Sequence, residues 1–184
     1  IINRVKAVHV KVNGTASDGR AYSATDPHLL KWVHIAEIDS FLWTYQKFSR
    51  AKLDQAGRDG YIFDAAFVAR ALGVIDPPET EAQLREMIKS YRPELKSTRE
   101  SRDATKYLLF KPPLPGAAKI AYWLLISATV ATLPVWTRLP LRLPYLPVFE
   151  QIFLRPLGWL MTSAIRWVTS TPLDKPADLS GNAS

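Results

Sequence analysis

The sequence predicts an all-α chain, a single-domain helical bundle, and three observations carry that reading. Apolar residues recur at spacings of three and four, beginning with Ile2, Val5, His9 and Val12. Residues that start and stop helices stand between such segments: Asp26-Pro27, Thr80 and Thr98 as starts, Gly73 and Pro134 as stops. No stretch alternates apolar and polar residues well enough to be a strand, and no internal repeat is present. The 184 residues suffice for one domain with a real core, and 47% hydrophobic against 22% charged residues is the balance of a globular chain.

The first helix carries Arg4, Lys6 and Lys11 between its apolar positions and stops near Asn13-Gly14, before a turn-rich loop through Ser17-Asp18-Gly19. Asp26 offers an acceptor to the free N–H groups of the next helix, and Pro27 suits its first position. That second helix runs to about Phe48, with Leu30, Ile35, Ile38, Leu42 and Tyr45 on its apolar faces. A third covers Arg58 to Leu72 and closes at Gly73. Asp76-Pro77-Pro78 links it to a fourth, capped by Thr80 and reaching Tyr91, before Pro93 interrupts. Thr98 opens a fifth helix through Phe110, and Pro112, Pro113, Pro115 and Gly116 then break the chain. Residues 117–133 form an apolar helix ended by Pro134, and Pro140, Pro144 and Pro147 punctuate an irregular segment. Residues 148–169 read as a last helix kinked at Pro156. The domain spans 1–170, and the small polar residues of 171–184 form a disordered tail.

Composition excludes several classes. With no cysteine there is no disulfide, thiolate haem ligand, iron–sulfur cluster or Cys-type zinc site. The net charge is +7, but the bases are scattered and no nucleic-acid motif is present, so nucleic acid is not the expected partner. There is no Gly-rich phosphate loop, no serine nucleophile elbow and no HExxH. The apolar stretch Ile120 to Val135 is shorter than the roughly 20 residues of a membrane crossing. Its Ser and Thr and terminal Pro134 favour a buried core helix. Trp136, Trp159 and Trp167, with arginines nearby, keep a peripheral membrane contact open. A cytoplasmic or membrane-associated protein is expected. Ile1 in place of Met, inside a helical pattern, reads as an N-terminally incomplete domain.

Two of the three histidines, His9 and His34, fall on the first two helices. A histidine among valines on an amphipathic helix is ordinarily a buried residue with a hydrogen-bond partner. The same position suits a haem ligand, since iron needs a neutral imidazole nitrogen on a rigid element inside an apolar cavity; Val5, Val8 and Val12 would be its walls. His34, three positions before Glu37, either bonds that carboxylate or stands near a cofactor. His28, in the first turn after Pro27, is assigned no function. Arg4, Lys6 and Lys11 fit either haem propionates or a solvated helix face.

These residues belong to a longer ordered pattern. Val8-His9 precedes Gly14; Tyr22, Ala24 and Asp26-Pro27 follow; then come Leu30 and Trp32-Val33-His34. Leu53, Arg58-Asp59, Tyr61 and Ala71-Leu72-Gly73-Val74 come next, then Pro78-x-Thr80-x-x-x-Leu84, Arg92-Pro93-Glu94-Leu95 and Leu133-Pro134-x-x-x-Arg138. In this the chain resembles the catalytic domain shared by latex-clearing rubber oxygenases and MpaB-type oxygenases. The resemblance implies a helical fold that uses a helix histidine for haem b as a globin does. His9 would be the proximal iron ligand and Arg4 and His34 further haem-binding residues. It implies an oxidoreductase that brings O2 to an apolar alkene or isoprenoid substrate. Asp64 would stand where the family pattern carries a Glu after its Asp, here Asp59. The family's distal-side residues would lie upstream of Ile1, so the fragment is expected to bind haem incompletely. The alternatives are a non-catalytic, membrane-peripheral helical domain with structural histidines, and a metal hydrolase in which His9, His34 and a carboxylate converge.

Overall fold

A computed structural model describes residues 1–16, 18–111 and 114–145, together with 150, 152, 156, 158–160, 162 and 163. The described residues are mostly helical, and the chain falls into two compact units, Ile1–Lys96 and Ser97–Ser184.

In the first unit, α1 (Ile2–His9) leads into a hairpin of β1 (Asn13–Thr15) and β2 (Ala21–Ser23), followed by α2 (Pro27–Phe48), α3 (Gln55–Leu72) and α4 (Glu81–Tyr91). A single 3-10 turn, Arg92–Glu94, follows α4. The hairpin corrects the sequence reading: the first helix ends at His9, and Asn13-Gly14 begins a strand instead of capping a helix. The strands are antiparallel, with Asn13 opposite Ser23, Gly14 opposite Tyr22 and Thr15 opposite Ala21. Tyr22 lies over Gly14 so closely that a Cβ there would come within 2.8 Å of its hydroxyl, so glycine makes room for the ring. Gly19, at φ 85°, takes the left-handed turn, and Asp18 pairs with Arg20 across the tip.

The starts and stops of the helices match the chemistry of their capping residues. Asp26 accepts from the backbone N–H of His28 at 2.8 Å and opens α2. Asp54 accepts from Gly57 N–H at 2.8 Å, which begins α3 one turn before the expected Arg58. Gly73 sits at φ 108°; its N–H and that of Val74 both bond Ala69 O, and this satisfies the last carbonyls of α3. Thr80 caps α4 through Gln83 N–H.

The core of this unit lies among α2, α3 and α4. Ile35, Ile38 and Leu42 from α2 meet Ile62, Ala66 and Ala69 from α3 and Leu84, Ile88 and Tyr91 from α4. The three small or branched residues of α3 recur at i, i+4 and i+7, which keeps one face narrow and allows close packing. Pro78 is fully buried beside this core. Arg58 on α3 bonds Glu81 at 2.8 Å, and Asp59 accepts the Glu81 backbone N–H at 2.8 Å, so two consecutive residues of α3 hold the start of α4. α1 packs against α3, and Lys6 Nζ reaches Ala71 O at 3.4 Å.

The second unit contains α5 (Arg99–Phe110), α6 (Gly116–Thr132) and the four-residue α7 (Val135–Arg138), the last within the stretch expected to be irregular. Thr98 caps α5 through Ser101 N–H. Arg138, 3% exposed, donates to Ala131 O at 2.8 Å and Leu133 O at 2.7 Å, closing α6, and pairs with Glu150 at 2.6 Å. No helix among the described residues is long and apolar enough to cross a membrane. The helix expected over 148–169 and its kink at Pro156 fall largely outside the described residues, as do Ser17, Pro147, Arg166, Trp167 and the expected tail 171–184.

Candidate functional site

His9 is the last residue of α1. The half-buried positions of that helix are Ile2, Val5 and His9, a stripe with the spacing of one helix face, on a helix whose neighbour is α3. His9 makes no side-chain hydrogen bond or ion pair among the described residues, so both ring nitrogens are open to a ligand. The apolar walls differ from expectation. Val5 is half-buried, but Val8, off the Ile2/Val5/His9 face of α1, and Val12, beyond the end of the helix, are 54% and 46% exposed.

His34 lies on α2, one residue before the fully buried Ile35. Its Nε2 is buried and has no hydrogen-bond partner. Burial holds the imidazole pKa below its ordinary value and therefore favours the neutral ring. The bond to Glu37 that the spacing allows does not form; Glu37 is exposed and instead lies near Tyr61, whose hydroxyl is pushed up first by burial and then by that charge. An unpaired buried imidazole nitrogen is costly, and such groups ordinarily have a partner.

Arg4 is exposed and five residues before His9, about 140° away around the helix axis. The two therefore do not share a face, and no hydrogen bond or ion pair joins Arg4, His9 and His34 among the described residues. His9 and His34 sit on two helices that each pack against α3.

His28 is held by protein groups. Its ring stacks on Tyr91 at 4.5 Å between centroids, Nε2 lies 2.7 Å from Glu94, and the Tyr91 hydroxyl donates to His28 O at 3.0 Å. Trp32 also stacks on Tyr91, at 5.6 Å between centroids. These contacts join the Trp32 element to the Arg92-Pro93-Glu94 turn and leave His28 a structural residue.

Among the described residues no group of three or more His, Asp or Glu is placed to hold a metal ion, which leaves the histidine–carboxylate hydrolase without its ligand set. Asp59 is engaged at the start of α4, its carboxyl lowered by the Glu81 backbone N–H and the Gln55 side chain, and Asp64 is exposed.

A feature that sequence reading passed over is a groove of about 310 Å3 lined by Asp39, Leu42, Trp43 and Gln46 of α2 with Arg58, Glu81 and Arg85. Glu81 pairs with both Arg58 and Arg85, which outweighs its burial and lowers its carboxyl. Burial raises that of Asp39. The signal was present as two i, i+4 pairs, Asp39/Trp43 and Glu81/Arg85, but which helices would face each other was not.

The ordered pattern now has a physical account in the first unit. Tyr22 covers Gly14, Asp26-Pro27 starts α2, Gly73 ends α3, Thr80 caps α4, and Pro78 and Leu84 fill the core. Residues 1–166 match the family model described as "ER-bound oxygenase mpaB/B'/Rubber oxygenase, catalytic domain". The chain belongs to this family. The MpaB/rubber oxygenase catalytic domain is that of an oxygenase, an oxidoreductase acting with O2 on a small-molecule substrate. Comparison with curated proteins and with solved structures found no match to the chain. Within the MpaB/rubber oxygenase domain, the residues described above are mostly the scaffold, while the side chains of His9 and His34 make no hydrogen bond among the described residues.

Proposed function

We propose that this MpaB/rubber oxygenase domain is haem b-dependent, with His9 as the axial iron ligand and an apolar alkene or isoprenoid chain as its substrate. The observation that carries the reading is His9 itself: a half-buried imidazole with both nitrogens free, at the Val-His position of a chain in an oxygenase family. The donor set suits the group. A neutral imidazole on a helix is an ordinary haem ligand, and Val5 offers an apolar neighbour. His34, kept neutral by burial and lacking a partner, is the second group that a bound cofactor would satisfy. Arg4 is a solvent-side cation of the kind that pairs with propionates.

Bound haem supplies O2 binding and activation, which no side chain of this cysteine-free chain provides. The protein's part is to hold the ring through His9, to exclude water with apolar side chains and to admit an apolar substrate. The reaction class that balances is oxidative cleavage of a carbon–carbon double bond. Both atoms of O2 enter the products, the double bond is lost and two carbonyl groups form, with no external reductant.

The test is the visible spectrum of the protein expressed with haem supply, beside His9→Ala and His28→Ala. The expected outcome is a strong haem band in the parent and in His28→Ala, lost in His9→Ala. A folded parent that stays colourless with added haemin overturns the proposal.

A further inference from the structure

The second unit carries a surface that the oxygenase reading does not use. From Ala104 to Phe149 the sequence has no Asp or Glu, and its charged residues are Lys106, Lys111, Lys119, Arg138 and Arg142. Two of these are accounted for. Arg138 is buried against Glu150, and Lys106 lies 3.8 Å from Asp103. Lys111, Lys119 and Arg142 are exposed and form no ion pair among the described residues.

Large apolar side chains are exposed in the same stretch: Trp123 at 51%, Leu125 at 50% and Leu139 at 67%. Lys119 and Trp123 are four residues apart on α6, one turn along the same face, so an ammonium and an indole are presented together. Arg142 is held at φ 57°, in the left-handed turn after α7, with its N–H bonded to Leu139 O. None of the described side chains of α6 is buried, although the helix is strongly apolar. It has 17 residues, about 26 Å at the usual helical rise, against a hydrocarbon core of about 30 Å.

We propose that this surface docks on an anionic lipid bilayer, with α6 lying in the interface on its Lys119/Trp123 face and Trp123 and Leu139 entering the headgroup region. The charge pattern selects the occupant. Unpaired bases without any acid complement anionic headgroups, and an indole with a lysine one turn away is suited to the boundary between acyl chains and water. A neutral apolar partner would leave the three bases unanswered. The docking does not depend on the haem reading.

The experiment is flotation of the full chain with phosphatidylcholine vesicles and with vesicles of 70% phosphatidylcholine and 30% phosphatidylserine, at low and high salt. The expected result is binding to the phosphatidylserine vesicles that weakens with salt and falls at least about fivefold for each base reversed in K111E, K119E and R142E, since the loss of one base near an anionic leaflet is alone worth that factor. W123A should weaken binding to both vesicle types. Far-UV circular dichroism identifies any variant that fails to fold, and an unchanged haem band in R142E separates this proposal from the cofactor reading. No binding at low salt, equal binding to neutral and anionic vesicles, or a concentration-dependent dimer without vesicle binding would each overturn it.

Discussion

His34 shows what one side chain reveals about a site. An imidazole with a buried, unpaired nitrogen destabilises the fold, and the cost rises if the ring must also carry a charge. Its folded pKa is depressed, so its neutral form contributes stability above the unfolded value near 6.5, and this is lost as pH falls below it. In the haem-free chain, His34→Leu should therefore leave the melting temperature at pH 7.5 unchanged or raised, and should reduce the drop seen on going to pH 5. The check is a pair of thermal melts for each protein; an undiminished acid drop in the variant would assign the effect elsewhere. His28, to which the sequence assigns no function, is held by Tyr91 and Glu94. The isolation of the His34 nitrogen was not legible, because it depends on neighbours far away in the chain.

At the scale of elements, the sequence was most legible where a cap is local. Asp26, Thr80, Thr98 and Gly73 each act on backbone groups within a few residues, so their chemistry can be read directly from the order of residues. The hairpin after α1 was not legible. Its strands have three residues each, one is centred on glycine, and the valines before it also fit a helical spacing. Arg138 was visible only as a spacing; its work is to close α6 and neutralise Glu150. Arg138→Met leaves a carboxylate largely buried and two carbonyls unpaired. It should cost about 3–5 kcal/mol, the usual penalty for removing one partner of a buried ion pair. Urea unfolding followed by circular dichroism measures this, and Glu150→Gln, which keeps a hydrogen-bonding side chain, should cost less.

For the whole molecule, the all-helical reading holds among the described residues apart from the hairpin, and the family was legible because scattered weak motifs recur in the right order. The proposal that His9 holds haem rests on that resemblance, since a free imidazole nitrogen on a helix has no signature in periodicity. Cofactor binding nevertheless has a global consequence. A ligand that binds only the folded chain stabilises it by mass action, and haem at a hundredfold its Kd should add about 2.7 kcal/mol. Thermal melts with and without haemin should show an upward shift in the parent and none in His9→Ala. A shift of equal size in both would show that haem binds without His9.

The hairpin that follows His9 has a kinetic side. A helix end is the first part of a helix to unravel, and His9 is the last residue of α1. Its backbone carbonyl accepts from Val12 N–H, and Val12 O in turn accepts from Ala24 N–H, so the ladder beyond the helix restrains the end that carries the imidazole. The lifetime of any bond made by that ring is then coupled to the opening rate of a small hairpin clasped by Tyr22 over Gly14. Slow amide exchange at Val12 and Ala24 would mark a ligand held in place; fast exchange would mark one that lets go whenever the clasp opens.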